Sequence, residues 1–314
     1  MKRFITIATC LFVMLSGSAQ TIIDLSAGGK VRAKTIDDYR NEQTGILQRL
    51  HEDSLAYVQC LTQAFNALHT DSLATAEKCF RKALKLRPDA PGNYVVHYNL
   101  GLIYTAQNQH TKAFHQYNDA LKLKPENPQA LQMRAQSHLY LGNATAAITD
   151  CNSLLRQEPD TTTKIATLFV RYAAHMQVRL HADARSDLEQ IIRLQPHNDN
   201  AHLLLSNVDE AEGRHRQALE RLDRLVQGRP EWTEALVARA ELEMKQSLFA
   251  LAEADASRAI EQDGQNATLY LLRARAKLKQ GQRAAAKADL ERANELGMPI
   301  EELRPYLRSL HTKP

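Results

Sequence analysis

Residues 94–125 read YVVHYNLGLIYTAQNQHTKAFHQYNDALKLKP. The alanine of this stretch, Ala113, belongs to a series: Ala76, Ala113, Ala147, Ala184, Ala218, Ala252 and Ala286, at steps of 37, 34, 37, 34, 34 and 34. So regular a step marks an array of one supersecondary unit. Each unit has an apolar face too small to bury alone, so neighbours are expected to stack into a solenoid. Such an array offers a long curved surface instead of a reaction pocket.

Other positions keep the same register. Twelve residues after each alanine stand Pro88, Pro125, Pro159, Pro196 and Pro230, with Gly264 and Met298 in the last two units. Proline lacks a donor and disfavours helix in the residue before it, so it punctuates the end of each unit's second helix. Twelve residues before each alanine stand Ala64, Gly101, Ala135, Tyr172, Ser206, Ala240 and Ala274, and seven after it Ala83, Ala120, Leu154, Ile191, Leu225, Ala259 and Ala293. Small side chains at these points let two helices approach closely as an αα-hairpin. Tyr172 in a small-residue slot predicts a local widening of the fourth hairpin.

The stretch 94–125 resembles the tetratricopeptide repeat (TPR), a 34-residue helix–turn–helix unit. Leu100, Gly101, Tyr104, Ala113, Tyr117, Ala120 and Pro125 match its pattern, and His97 stands where the family usually carries Trp. The resemblance covers residues 57–298 in seven units, of which the sixth is the weakest, lacking both the tyrosine and the proline. It implies an all-α, right-handed α-solenoid, and it fixes fold without fixing activity.

A second pattern explains much of the charge. Arg134, Arg171, Arg239 and Arg273 are each followed sixteen residues later by Asp150, Asp187, Asp255 and Asp289. In units two and five the arginine becomes Leu100 or Leu205 and the aspartate becomes Gln116 or Arg221. Positions that change together predict guanidinium–carboxylate contact between the two helices of a hairpin. An arginine that has its own partner is structural, and a basic stripe for anions is not expected.

Hydrophobic content of 44% and charged content of 24% are ordinary for a globular chain. The net charge of +4 falls to about +2 once Lys2 and Arg3 are removed, which leaves nucleic acid no electrostatic claim. Removal is expected because Lys2-Arg3, the apolar run Phe4–Leu15 and Ser16-Gly17-Ser18-Ala19 read as a signal peptide over residues 1–19, with a mature start at Gln20. The ending Gly-Ser-Ala-Gln resembles export signals of Bacteroides-type Gram-negative bacteria, implying a periplasmic protein, with a place at the periphery of the outer membrane left open. Twelve apolar residues are too few to span a bilayer, and no other transmembrane candidate follows. Residues 20–34 read as an extended or mobile segment, 35–56 as an N-terminal capping helix, and 299–314 as a C-terminal capping helix with Leu303, Tyr306 and Leu307 turned toward the seventh unit.

The twelve histidines scatter over different slots, Cys60, Cys79 and Cys151 lack metal-ligand spacing, and HExxH, glycine-rich phosphate loops and GxSxG do not occur. No enzyme, cofactor or metal is expected. The resemblance instead implies a groove lined by the first helices, at slots that here carry Leu61, Phe65, Tyr98, Leu102, Gln132, Gln136, Phe169 and Asn207. Of the lysine, asparagine and arginine that grip a peptide carboxylate in some members, only Asn99 is present, so a carboxylate clamp is not expected. A groove that is apolar to amide-rich suits an extended or helical apolar segment of another envelope protein, or the chain's own Ile22-Ile23-Asp24-Leu25. The expected role is a non-catalytic scaffold or adaptor with a protein or peptide partner. A self-associating component of an envelope assembly and an accessory subunit of an envelope-processing enzyme stay open as alternatives.

Overall fold

The structure, a computed structural model, describes residues 52–310. The expected signal peptide, the segment 20–34 and most of the leading helix 35–56 lie outside the described residues. Fifteen helices and no strands occur within them: α1 (Glu52–His69), α2 (Leu73–Leu86), α3 (Asn93–Ala106), α4 (His110–Leu123), α5 (Pro128–Tyr140), α6 (Ala144–Leu155), α7 (Thr161–Gln177), α8 (His181–Leu194), α9 (Asp199–Ala211), α10 (His215–Gly228), α11 (Thr233–Lys245), α12 (Phe249–Gln262), α13 (Ala267–Lys279), α14 (Arg283–Glu295) and α15 (Ile300–Ser309). The chain divides between Val178 and Arg179 into two compact units, inside the repeat that carries Tyr172. In the first, α1–α2, α3–α4 and α5–α6 pack as hairpins; in the second, α9–α10, α11–α12 and α13–α14 do.

The register seen in the alanines also governs the turns. Five residues before each alanine the backbone turns left-handed, at Asp71, Asn108, Gly142, Arg179, Gly213, Ser247 and Gly281, with φ between 57° and 78°. One residue of this conformation reverses the chain within a few positions, as the short loop of an αα-hairpin requires. At the far end of the second helices, Arg87, Lys124, Gln195 and Arg229 leave the helix with φ near −140° and ψ near 80°. This is an extended conformation that the following Pro88, Pro125, Pro196 and Pro230 favour, and Asp263 adopts it before Gly264 as well. Asn127, Asp160, Asn198 and Asn266 start α5, α7, α9 and α13 by accepting backbone N–H bonds, each cap being worth about 1 kcal/mol. At the start of α11 Trp232 stands instead, with no side-chain cap.

The aligned alanines lie at the centre of the hairpins, all fully buried. Close approach at the small slot is visible at Gly101: a Cβ there would lie 2.3 Å from the Tyr117 ring. The final helix α15 follows Pro299, burying Leu303 and packing Tyr306, Leu307 and Leu310 against the core of the seventh repeat.

Candidate partner-binding face

The first helices of the first unit, α1, α3, α5 and α7, carry seven of the eight groove candidates. Leu61 is only 7% exposed and belongs to the core beneath α1. Phe65 is half-buried, its ring edge-on to Phe80 at 5.2 Å and 82°. Tyr98 is half-buried and tilted over Tyr117 at 6.0 Å; it packs on the core of repeats one and two and also on that beneath α5. Burial pushes its phenol up to about 12, so the hydroxyl stays protonated. Leu102 packs with Met133 on the same first core, while Gln132, Gln136 and Phe169 are half-buried. The structure thus brings Phe65, Tyr98, Leu102 and Met133 around one core and leaves part of each ring or chain accessible. Asn207 stands exposed on α9 of the second unit.

The arginines are committed to internal contacts. Arg134 closes on Asp150 at 2.6 and 2.8 Å, Arg239 on Asp255 at 2.6 and 2.7 Å, and Arg273 on Asp289 at 2.7 and 3.0 Å. Each also reaches back to the previous repeat's second helix, donating to Asn118, Asp223 or Ser257. One guanidinium therefore ties three successive helices, a use of its planar fork that lysine could not copy. Arg171 likewise donates to Asn152 of α6 at 2.6 Å. Where the arginine is absent, other pairs take over. His97 Nδ1 lies 2.9 Å from Gln116 Oε1, and fully buried Asp209 accepts Arg185 at 2.5 Å and Arg221 at 3.2 Å. The sixteen-residue pattern did not foretell this second arrangement, because Asp209 sits four residues beyond the arginine slot.

In the second unit a cavity of about 700 Å³ opens between α11, α13 and α15, with Lys245, Arg275, Lys279 and Arg283 on its wall over Met244, Leu278, Pro305 and Tyr306. Lys245 pairs with Glu210 and Arg275 with Glu241, so much of this positive charge is already neutralised. The described cysteines, Cys60, Cys79 and Cys151, are free thiols, and the Cys79 thiol donates to Gln63. Among the described residues no group of three His, Cys, Asp or Glu could hold a metal, and no helix is long and apolar enough to cross a membrane.

Helix hairpins tied at one register, with side-chain chemistry spent on packing and pairing, define a helical-repeat scaffold. Family models described as tetratricopeptide repeat match residues 53–126, 176–242 and 267–296. The chain belongs to the tetratricopeptide repeat family, whose fold is in general a non-catalytic protein-interaction scaffold. Among solved structures, a tetratricopeptide repeat protein from Parabacteroides merdae is similar with a TM-score of 0.70 and 24% identity, covering 82% of this chain and all of that one. PilW, titled a widely conserved type IV pilus biogenesis factor, has a TM-score of 0.57 and 19% identity, covering 68% of this chain and 98% of that one. Photosystem I assembly protein Ycf3 of Synechococcus elongatus is 36% identical over 69 residues, 22% of this chain and 40% of that protein. Ycf3 of Cyanophora paradoxa is 32% identical over 95 residues, 30% of this chain and 53% of that protein. The chain thus spans about half or less of the curated relatives it matches.

Proposed function

We propose that this protein is a scaffold of the cell envelope, exported to the periplasm, which holds an extended or helical apolar segment of a partner protein on the first-helix face of its first unit. The carrying observation is the half-accessible row of Phe65, Tyr98, Leu102 and Phe169, with Gln132 and Gln136 beside it. Aromatic rings fixed by core packing lose little entropy on binding and make strong anchors. The amides can pair with the backbone of an extended segment. The matched Ycf3 proteins are named for an assembly role, which accords with a scaffold.

The test is site-specific photocrosslinking in cells. A benzoylphenylalanine at position 136 or 169 should capture the same partner, and one at exposed position 224 on α10 should not. Capture at all three positions, or at none, sinks the reading; a second copy of this chain in the adduct would transfer it to self-association. Positions 136 and 169 suit this purpose better than 98, since Tyr98 also supports the core. N-terminal sequencing of the chain recovered from a periplasmic fraction should start at Gln20; a start at Met1 would remove the export component.

A further inference from the structure

Four residues beyond the arginine slot, and twelve before the aspartate slot, repeats three, five, six and seven place a titratable side chain beside the inter-helix contact. Repeat three carries His138, repeat five Asp209, repeat six Glu243 and repeat seven Lys277. Lys277 joins Arg273 on Asp289, at 2.8 Å. His138 Nε2 lies 3.9 Å from Asp150. In repeat five the signs are exchanged, Asp209 meeting Arg221. Among these four, repeat six sets an acid against an acid, Glu243 against Asp255.

Glu243 is 5% exposed. Its Oε1 lies 4.0 Å from Arg239 Nε, too far for a hydrogen bond, and its Oε2 is buried without a hydrogen-bond partner. Arg239 cannot turn to it, since its Nε and Nη2 hold Asp255 and its Nη1 holds Asp223. The charged groups on the other helices packed against α11 are also engaged. On α10 stand Asp223 and Arg221, on α12 Asp255 with Arg258 at 3.5 Å, on α9 Asp209 held by Arg185 and Arg221, and on α13 Arg273 and Lys277, both on Asp289. A buried carboxylate without a partner is costly, and a proton removes its charge.

We propose that the sixth repeat is a proton-operated clasp, closed when Glu243 carries a proton and loosened between α11 and α12 when the proton leaves. The residues directly after Glu243, Met244 and Lys245, form part of the wall of the cavity between α11, α13 and α15, so the clasp adjoins that cavity. Burial first, and Asp255 second, push the Glu243 carboxyl up from 4.5 to about 7. The folded chain therefore binds the extra proton between those two values, and its stability falls as pH rises through that window and levels off above it.

Hydrogen exchange tests this, with rates corrected for base catalysis. Amides of α11 and α12 should lose about tenfold or more in protection between pH 5.5 and 8.5, in line with roughly tenfold per unit of pKa shift, while those of α13 and α14 should not. E243Q should abolish the change. E243K, which copies the pairing of repeat seven, should abolish it too. Unchanged protection in the natural chain, or the same loss in E243Q, overturns the proposal. Should both variants fail to fold, the carboxyl resonance of Glu243 in the natural chain decides: a midpoint near 7 supports the clasp, and one near 4.5 overturns it.

Discussion

The two units use one repeat yet hold their hairpins differently. In the first, rings fill two of the three hairpins: Phe80 and Tyr117 are fully buried at the slot four residues after the aligned alanine, with Phe65 and Tyr98 against them, while the third carries Cys151 there. The same slot carries Leu188, Leu222, Ala256 and Leu290 in the second unit, where none of the buried hydrophobic side chains is aromatic. Buried acids take the opposite distribution. The first unit has Asp150, and the second has Asp187, Asp209, Glu243, Asp255 and Asp289. Apolar filling is non-directional and tolerates a neighbour's change, whereas a buried ion pair depends on every partner remaining. The second unit should therefore be the more sensitive to loss of a single charge.

The largest effect follows directly. Arg239→Met removes the one cation shared by Asp255 and Asp223 and leaves buried Asp255 only the half-exposed Arg258 at 3.5 Å, which should destabilise the second unit by about 3 kcal/mol, the low end for a broken buried pair. Trp232 is the only tryptophan in the chain and lies in this unit, so its fluorescence in a urea titration reads this unit alone. A loss below about 1 kcal/mol would break the contrast, since it would equate the pair with an exposed one.

Next in size is a packing change in the first unit. Gly101→Ala drives a methyl into the Tyr117 ring and should cost about 1–3 kcal/mol through overpacking. In a Tyr117→Leu background, which copies the alanine–leucine combination of Ala274 and Leu290 in repeat seven, the added methyl should cost less than about 0.5 kcal/mol. Urea unfolding followed by circular dichroism measures both, and equal costs in the two backgrounds would show that the ring does not set the approach.

Much of this was legible in the sequence because a repeat displays its own register. The step between alanines located the six hairpins packed within the two units, the prolines located the ends of most second helices, and the sixteen-residue arginine–aspartate spacing located three ties that the structure contains. Asp209 and Glu243 were not legible in the same way. The significance of Glu243 depends on whether Arg239, four residues back, is already engaged, and that of Asp209 on Arg185 and Arg221 reaching it from other helices, three-dimensional facts that spacing does not carry. The candidate face was legible as slots and not as exposure: Leu61 and Tyr98 share a slot with Gln132, yet inter-repeat packing buries the leucine and leaves the amide half accessible.

A smaller effect concerns the turns, where repeats of the second unit differ among themselves. The left-handed turn residue is Gly213 and Gly281 in repeats five and seven but Ser247 in repeat six, at φ 60°. A residue with a Cβ pays roughly 1 kcal/mol or more in that conformation, partly offset by the greater chain entropy of glycine. Ser247→Gly should thus raise the stability of the second unit by about 0.5–1 kcal/mol in the same Trp232 titration. A decrease would show that the serine makes a contribution its backbone geometry does not reveal.

The last effect is a difference in sign. In the first unit His138 is held neutral: burial lowers it below 6.5, Arg134 adds to this, and Asp150 at 3.9 Å opposes it. The opposing carboxylate makes this the smallest of the four effects. An unfolded histidine then binds a proton that the folded one resists, so His138 subtracts from stability as pH falls below 6.5. Glu243 works in the other direction, since acidification gives it the proton its site favours. Lowering the pH from 7 to 5.5 should thus decrease hydrogen-exchange protection in α5 and α6 while increasing it in α11 and α12. His138→Gln should remove the first change and leave the second. Parallel changes in both helix pairs, or a first change that survives His138→Gln, would show that the two units do not respond to protons through these two side chains.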